Sequence, residues 1–237
     1  MRWLSRLFGA APPAVILPSA QREALADWQR LPAADLDLAH LRSRYVVVDV
    51  ETSGLNMKAD RLISIGAVAL VDGRIDFSDA FAVILRQDQV SPDANILIHG
   101  IGASAQSEGI DPASALLAFL GYIGKAPLVA YHAFFDRAMI EKAMRQYLGA
   151  ELGQTWIDLA WVLPSLFPDL ASARTNLDDW LKLFAIENIM RHNAVSDAYA
   201  TAKLLQVAIG AGNQRGVVSP AAFVRQEKAR RWMDQHC

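Results

Sequence analysis

Two carboxylates stand where an apolar strand should carry none. Tyr45-Val46-Val47-Val48-Asp49-Val50 is an almost unbroken β-branched run, the composition of a buried central strand. Yet Asp49 lies inside it and Glu51 follows two residues later. Strand side chains alternate, so the pair points to one face. Side by side, the two charges repel and lose hydration. A cation between them turns repulsion into attraction, and carboxylate oxygens are the ligands Mg²⁺ prefers. The plainer explanation is that both simply reach solvent as the strand ends. Asp136 lies five residues past a short apolar stretch at 127–131, and Asp197 lies in Arg191-His192-Asn193-Ala194-Val195-Ser196-Asp197-Ala198. Alone, each reads as a helix-start aspartate favoured by the dipole, with Ser196 a candidate cap for the second. His192 alone reads as a loop histidine.

As a set these residues have a definite chemistry. Four carboxylates can hold two divalent cations, Mg²⁺ or Mn²⁺, about 3.5–4 Å apart, gripping the attacking water and the leaving oxygen of a phosphodiester. A histidine titrating near neutrality can take the proton from that water. No glycine-rich phosphate loop occurs in the chain, which argues against nucleoside-triphosphate hydrolysis of the P-loop kind. No Ser-His-Asp spacing is informative.

The elements needed to gather these acids can be read along the chain. Residues 1–18 form a proline-rich leader. Ser19 to Leu31 reads as a helix, with Ser19 as its N-cap and Pro32 ending it. Strands follow from Tyr45, from Leu62 to Val71 and within Arg74 to Leu85, with Asp72-Gly73 a hairpin signal between the last two. A loop containing Pro92 and His99-Gly100 leads to a helix opened by Asp111-Pro112 and running to about Tyr122. Pro127 to Tyr131 is a fourth strand. Helices are expected over 134–148, 156–166, 176–184 and 196–209, and a last one after Ser219-Pro220. The order describes a mixed α/β sheet flanked by helices.

Composition sets bounds on partners and compartment. The 237 residues are 53% hydrophobic and 20% charged with a net charge of −2, ordinary for a globular domain. A nucleic-acid binder usually carries an excess of Lys and Arg; here any bound strand is expected to be short and held partly through metal ions. The only cysteine is Cys237, so no disulfide framework forms within the chain and a reducing, cytoplasmic setting fits. Arg6 and the prolines at 12, 13 and 18 break the apolar stretch that a secretory signal needs, and no run is long enough to span a bilayer. Trp3, Leu4, Leu7 and Phe8 can share one side of a short helix, read either as a locally packed terminus or as a docking segment.

The motifs together resemble the DEDDh (DnaQ-like) 3′→5′ exonucleases, a family that includes the epsilon proofreading subunit of bacterial DNA polymerase III and RNase T. Asp49-Val50-Glu51-Thr52-Ser53-Gly54-Leu55 matches the first motif, Phe135-Asp136 the second, and His192 with Asp197 the third. Asp60-Arg61-Leu62-Ile63-Ser64-Ile65-Gly66 and Asn176-Leu177-Asp178-Asp179-Trp180-Leu181 are also similar to the family. The resemblance spans about 44–210, between an N-terminal leader and helix (1–43) and a C-terminal helical tail (211–237). It implies an RNase H-like mixed five-stranded sheet and two divalent cations on Asp49, Glu51, Asp136 and Asp197. His192 would be the general base. Thr52, Gly54 and Leu55 would receive and wedge the terminal nucleotide, with His99, His132 and Phe135 lining the same cleft. Tyr131-His132 stand where many relatives read His-Asn. The implied substrate is the 3′ end of a nucleic acid, single-stranded DNA favoured and RNA the alternative; a catalytically silent binding or polymerase-accessory module is the reading outside the enzyme class. The short tail favours stand-alone trimming over proofreading. Its Arg225, Lys228, Arg230 and Arg231 offer either phosphate contacts or a solvated helix face.

Overall fold

The structure, a computed structural model, describes residues 15–171 and 176–236. The apolar side at Trp3 to Phe8, and Cys237, lie outside the described residues. A five-stranded sheet in the order β3-β2-β1-β4-β5 forms the middle layer. β1 (Tyr45–Thr52) runs antiparallel to β2 (Leu62–Val71), which runs antiparallel to β3 (Arg74–Ile84). Asp72 and Gly73, at φ 51° and 72°, turn that hairpin with the two positive torsions that suit strand twist. On the other side β1 pairs in parallel with β4 (Leu128–Ala130), and β4 with β5 (Trp156–Asp158).

Alternation along β1 divides the core in two. Val46, Val48 and Val50 face one layer, with α1 (Ser19–Arg30), α4 (Pro112–Ile123) and α5 (Ala133–Leu148). Tyr45 and Val47 face the other, with α6 (Leu159–Leu166), α8 (Leu177–Leu183), α9 (Ala194–Gln214) and α10 (Pro220–His236). Asp49 and Glu51 share the parity of Tyr45 and Val47, so they point toward the α9 side. Short helices α2 (Asp93–His99), α3 (Ala103–Ser107) and α7 (Pro168–Ala171) complete the order.

Several expectations are corrected. The helix expected over 156–166 is a strand and then a helix: Trp156 to Asp158 pair with β4, and Asp158 caps α6 by accepting the Ala160 N–H. Three residues are too few for a strand period to show. The stretch expected as a loop between β3 and α4 holds α2 and α3. Ser19 is the first residue of α1, not its cap; Pro18 occupies that position. Asn193, not Ser196, caps α9 by accepting the Ser196 N–H. Beyond position 210, α9 runs through to Gln214, and Phe223 of α10 is fully buried in the second core. The N-terminal extension is packed as well: Leu25 and Trp28 are buried, and the Trp28 indole donates to the Gly124 carbonyl at 2.8 Å. No helix among the described residues is long and apolar enough to cross a membrane.

Candidate active site

The acids meet at the C-terminal end of β1. One oxygen each from Asp49, Glu51 and Asp197 lies within 4.8 Å of the others. Asp197 reaches them because α9 begins directly on β2. Gly66, the register partner of Asp49, makes this possible: a Cβ there would stand 2.2 Å from the Ala194 carbonyl carbon and 2.4 Å from the Val195 nitrogen. No side chain larger than hydrogen fits between that strand and helix. Asp197 is then buried at 3% exposure.

Asp136, 6% exposed in the first turn of α5, stands beside this trio. Burial, then Asp136, Asp197 and Glu51 in turn, hold the Asp49 carboxyl well above the usual carboxylate range, with Arg191 opposing. Burial and Asp197 push Glu51 to about 8. Burial raises Asp136 to about 7, with the backbone amides of Asp136 and Val50 pulling down and Asp158 adding a little upward. Acids crowded at this cost are the pattern in which functional carboxylates are found, and they make this end of the sheet the candidate site. The donor set is all carboxylate oxygen, the hard set that suits Mg²⁺ or Mn²⁺. A divalent ion would relieve the same repulsion that raises these groups.

Around Asp197 the structure adds partners that the sequence analysis does not single out. Its Oδ1 accepts from the Asn188 amide and from Arg191 at 3.0 Å, and its Oδ2 accepts the His192 N–H at 2.9 Å. Arg191 also pairs with Asp178 at 2.9 Å. Its position directly before His192 was the available signal. His192 itself is exposed, in the left-handed conformation at φ 61°.

The remaining candidates divide. Thr52 is buried, and its hydroxyl donates to the Gly54 carbonyl at 2.7 Å. The Asp60 carboxylate accepts from Ser53 Oγ and the Asn56 N–H and packs where a Gly54 Cβ would go. Leu55 then projects at 86% exposure. On α5, Lys142 ties this loop down through the carbonyls of Met57, Lys58 and Asp60. His99, buried, lines a cavity of about 130 Å³ with Glu51, Ser64 and Asn193. Its Nδ1 accepts the Ile101 N–H at 3.0 Å, and burial lowers its pKa. His132 is exposed at the mouth of α5. Phe135 departs from expectation: it packs partly buried against the first core, and the exposed aromatic of the pair is Phe134, at 66%. Helix periodicity turns adjacent residues about 100° apart, so only one of the two can face outward. Arg231, one of the tail cations read either as phosphate contacts or as a solvated helix face, pairs instead with Asp158 and Glu227.

A far larger concavity, about 520 Å³, lies among Arg42, Arg44, Lys125 and Pro127. Arg44 and Pro127 precede β1 and β4, so it sits at the opposite end of the sheet from the acids.

This sheet, with acids gathered where its central strand ends, defines an RNase H-like nuclease scaffold. The family model described as an exonuclease matches residues 46–205, and the chain belongs to the DEDDh (DnaQ-like) exonuclease family. It is 34% identical over 167 residues to the PolC-type DNA polymerase III of Clostridium perfringens, covering 68% of this chain and 11% of that protein. It is 31% identical over 181 residues to the PolC-type enzyme of Halalkalibacterium halodurans, covering 75% and 12%. The chain thus spans about a tenth of these relatives' length. Among solved structures, E. coli Exonuclease I in complex with a dT13 oligonucleotide superposes with a TM-score of 0.62 at 17% identity, over 73% of this chain and 42% of that one. Exonuclease X in complex with 5′-overhanging duplex DNA gives 0.58 at 21%, over 71% and 93%.

Proposed function

We propose that the chain is a metal-dependent 3′→5′ exonuclease that hydrolyses phosphodiester bonds at DNA 3′ ends and releases nucleoside monophosphates. The observation that carries this reading is the convergence of Asp49, Glu51 and Asp197 within 4.8 Å at the end of β1. Asp49, Glu51 and Asp197 would hold divalent cations, Mg²⁺ or Mn²⁺, with Asp136 completing the set. Such ions, when bound, polarise the phosphodiester and neutralise charge that develops in the transition state. His192, exposed beside Asp197, would take the proton from the attacking water. Leu55, left exposed by the braced Gly54 turn, offers an apolar wedge for the terminal base, and the Thr52–Leu55 turn offers backbone groups to its sugar. Polymerase relatives and DNA-bound structural neighbours favour DNA as the substrate.

The test is direct. Matched single-stranded DNA, duplex DNA and RNA oligonucleotides, labelled at either end, are incubated with the protein and Mg²⁺. Single-nucleotide shortening from the 3′ end of DNA is expected, abolished by EDTA and restored by Mg²⁺ or Mn²⁺. Undiminished cutting in excess chelator would remove the metal reading, and preference for RNA would reassign the substrate.

A further inference from the structure

The helix beyond the family's matched span reaches back to the segment that carries Asp136. Asp158 closes β5 as the register partner of Ala130 at the end of β4, and it is 2% exposed. Its Oδ1 accepts the backbone N–H of His132 at 2.9 Å and that of Ala160 at 3.0 Å. Its Oδ2 accepts from the Arg231 guanidinium at 2.9 Å. Glu227 squares the arrangement: Oε1 accepts from Arg231 Nε at 2.9 Å and Oε2 accepts the Asp158 N–H at 2.9 Å. The Arg231 guanidinium also lies 4.8 Å from the centroid of the Trp161 ring. Two chain segments far apart in sequence are joined here by charge-assisted bonds to a buried carboxylate, the strong kind.

The far end of this network is a strained turn. His132 has φ 62°, a conformation that L residues hold only under constraint. It is the residue at which the chain leaves β4 and enters α5, and Asp136 stands in the first turn of that helix. With Arg231 removed, the buried Asp158 charge loses its counter-ion and the bond that holds its Oδ2, and only the Ala160 and His132 amides are left to orient the acceptor on which the His132 turn depends.

We propose that Arg231, acting through Asp158, is a positioning residue for Asp136: the C-terminal helix locks the left-handed turn at His132 and so fixes the fourth acid against Asp49 and Glu51. This rests on the reading of those acids as the metal site. It makes α10 part of the catalytic apparatus without contact to substrate.

The experiment uses the full chain and compares the parent with Arg231→Ala, Arg231→Lys and Asp158→Asn, each assayed well below its melting temperature. Two quantities are read: the Mn²⁺ concentration for half-maximal cleavage of end-labelled single-stranded DNA, and amide hydrogen exchange across 131–138. Arg231→Ala should raise the Mn²⁺ midpoint about 10-fold, the usual worth of an outer partner of a metal ligand, and speed exchange at the start of α5. Arg231→Lys should recover most of both. If Arg231→Ala is poorly folded, Asp158→Asn decides on the same two readouts, since it keeps an oxygen for the His132 amide while losing the ion pair. A parent-like Mn²⁺ midpoint in these variants, even with a lowered melting temperature, would reduce the network to a fastening for α10 and overturn the proposal. An inert parent would remove the reading of the acids and this inference with it; an active parent with unaltered variants removes only the inference.

Discussion

Replacing Asp49 separates two effects that its carboxylate combines. It is a candidate ligand, and in the metal-free protein it is also a half-buried carboxylate among three like neighbours. Asp49→Asn should therefore abolish cleavage of end-labelled oligonucleotide while melting above the parent in EDTA at alkaline pH, because one source of repulsion is gone. Parent-level digestion would refute the site assignment. For His192→Ala, the expected loss in kcat is about 10²–10⁴-fold, the ordinary contribution of a positioned base. Metal binding measured by calorimetry should change little. A kcat loss under about threefold would strip His192 of that role. At this scale the sequence was informative wherever chemistry contradicts context: Asp49 and Glu51 stood out because an apolar run should exclude them. Arg191, Asn188 and Asp158 passed unnoticed because a charged or amide residue near a helix start is unexceptional until its partner is known. Phe135 and Phe134 could not be told apart without the phase of α5.

Elements place those residues, and the contact between β2 and α9 is the tightest of these placements. Gly66→Ala inserts a methyl where the Ala194 and Val195 backbone already stands, so α9 must move outward. Displacing Asp197 by even about 1 Å can cost on the order of 10²-fold in rate. The expected result is a folded protein with strongly reduced cleavage and weakened Mn²⁺ binding; parent-like activity would show that α9 tolerates the shift. Long runs with a clear period were legible: β1, β2, the Asp72-Gly73 hairpin and α5 fall close to where the sequence puts them. β5 was not, being three residues long and continuous with α6. The helices at 93–107 were hidden by the turn signals of Pro92 and Gly100.

For the molecule as a whole, the crowded carboxyls predict an unusual dependence of stability on pH. Folding raises Asp136 from 3.8 to about 7 and Glu51 from 4.5 to about 8. Between the unfolded and folded values the native state holds more protons than the unfolded chain, so stability falls as pH rises through that window. In EDTA the melting temperature should be higher near about pH 5.5 than near about pH 8. Saturating Mn²⁺ should raise it most at the alkaline end, because the ion binds the ionised native state. A flat profile in EDTA would contradict the crowding. The architecture was legible as a mixed sheet with helices on both sides, but the integration of both extensions was not, since Trp28 and Phe223 find their partners only in three dimensions.

The meeting of Asp49 with Asp197 has a bearing on how the protein is made. Synthesis delivers the amino-terminal strands first, and α9 can settle on β2 only when the hairpin is already in place. A chain still on the ribosome and ending short of position 194 owns Asp49, Glu51 and Asp136 but has no third wall for the cleft. Such a nascent polypeptide lacks the complete acid cluster of the proposed site. On the proposed reading, the acid cluster is complete only once the segment bearing Asp197 has been made.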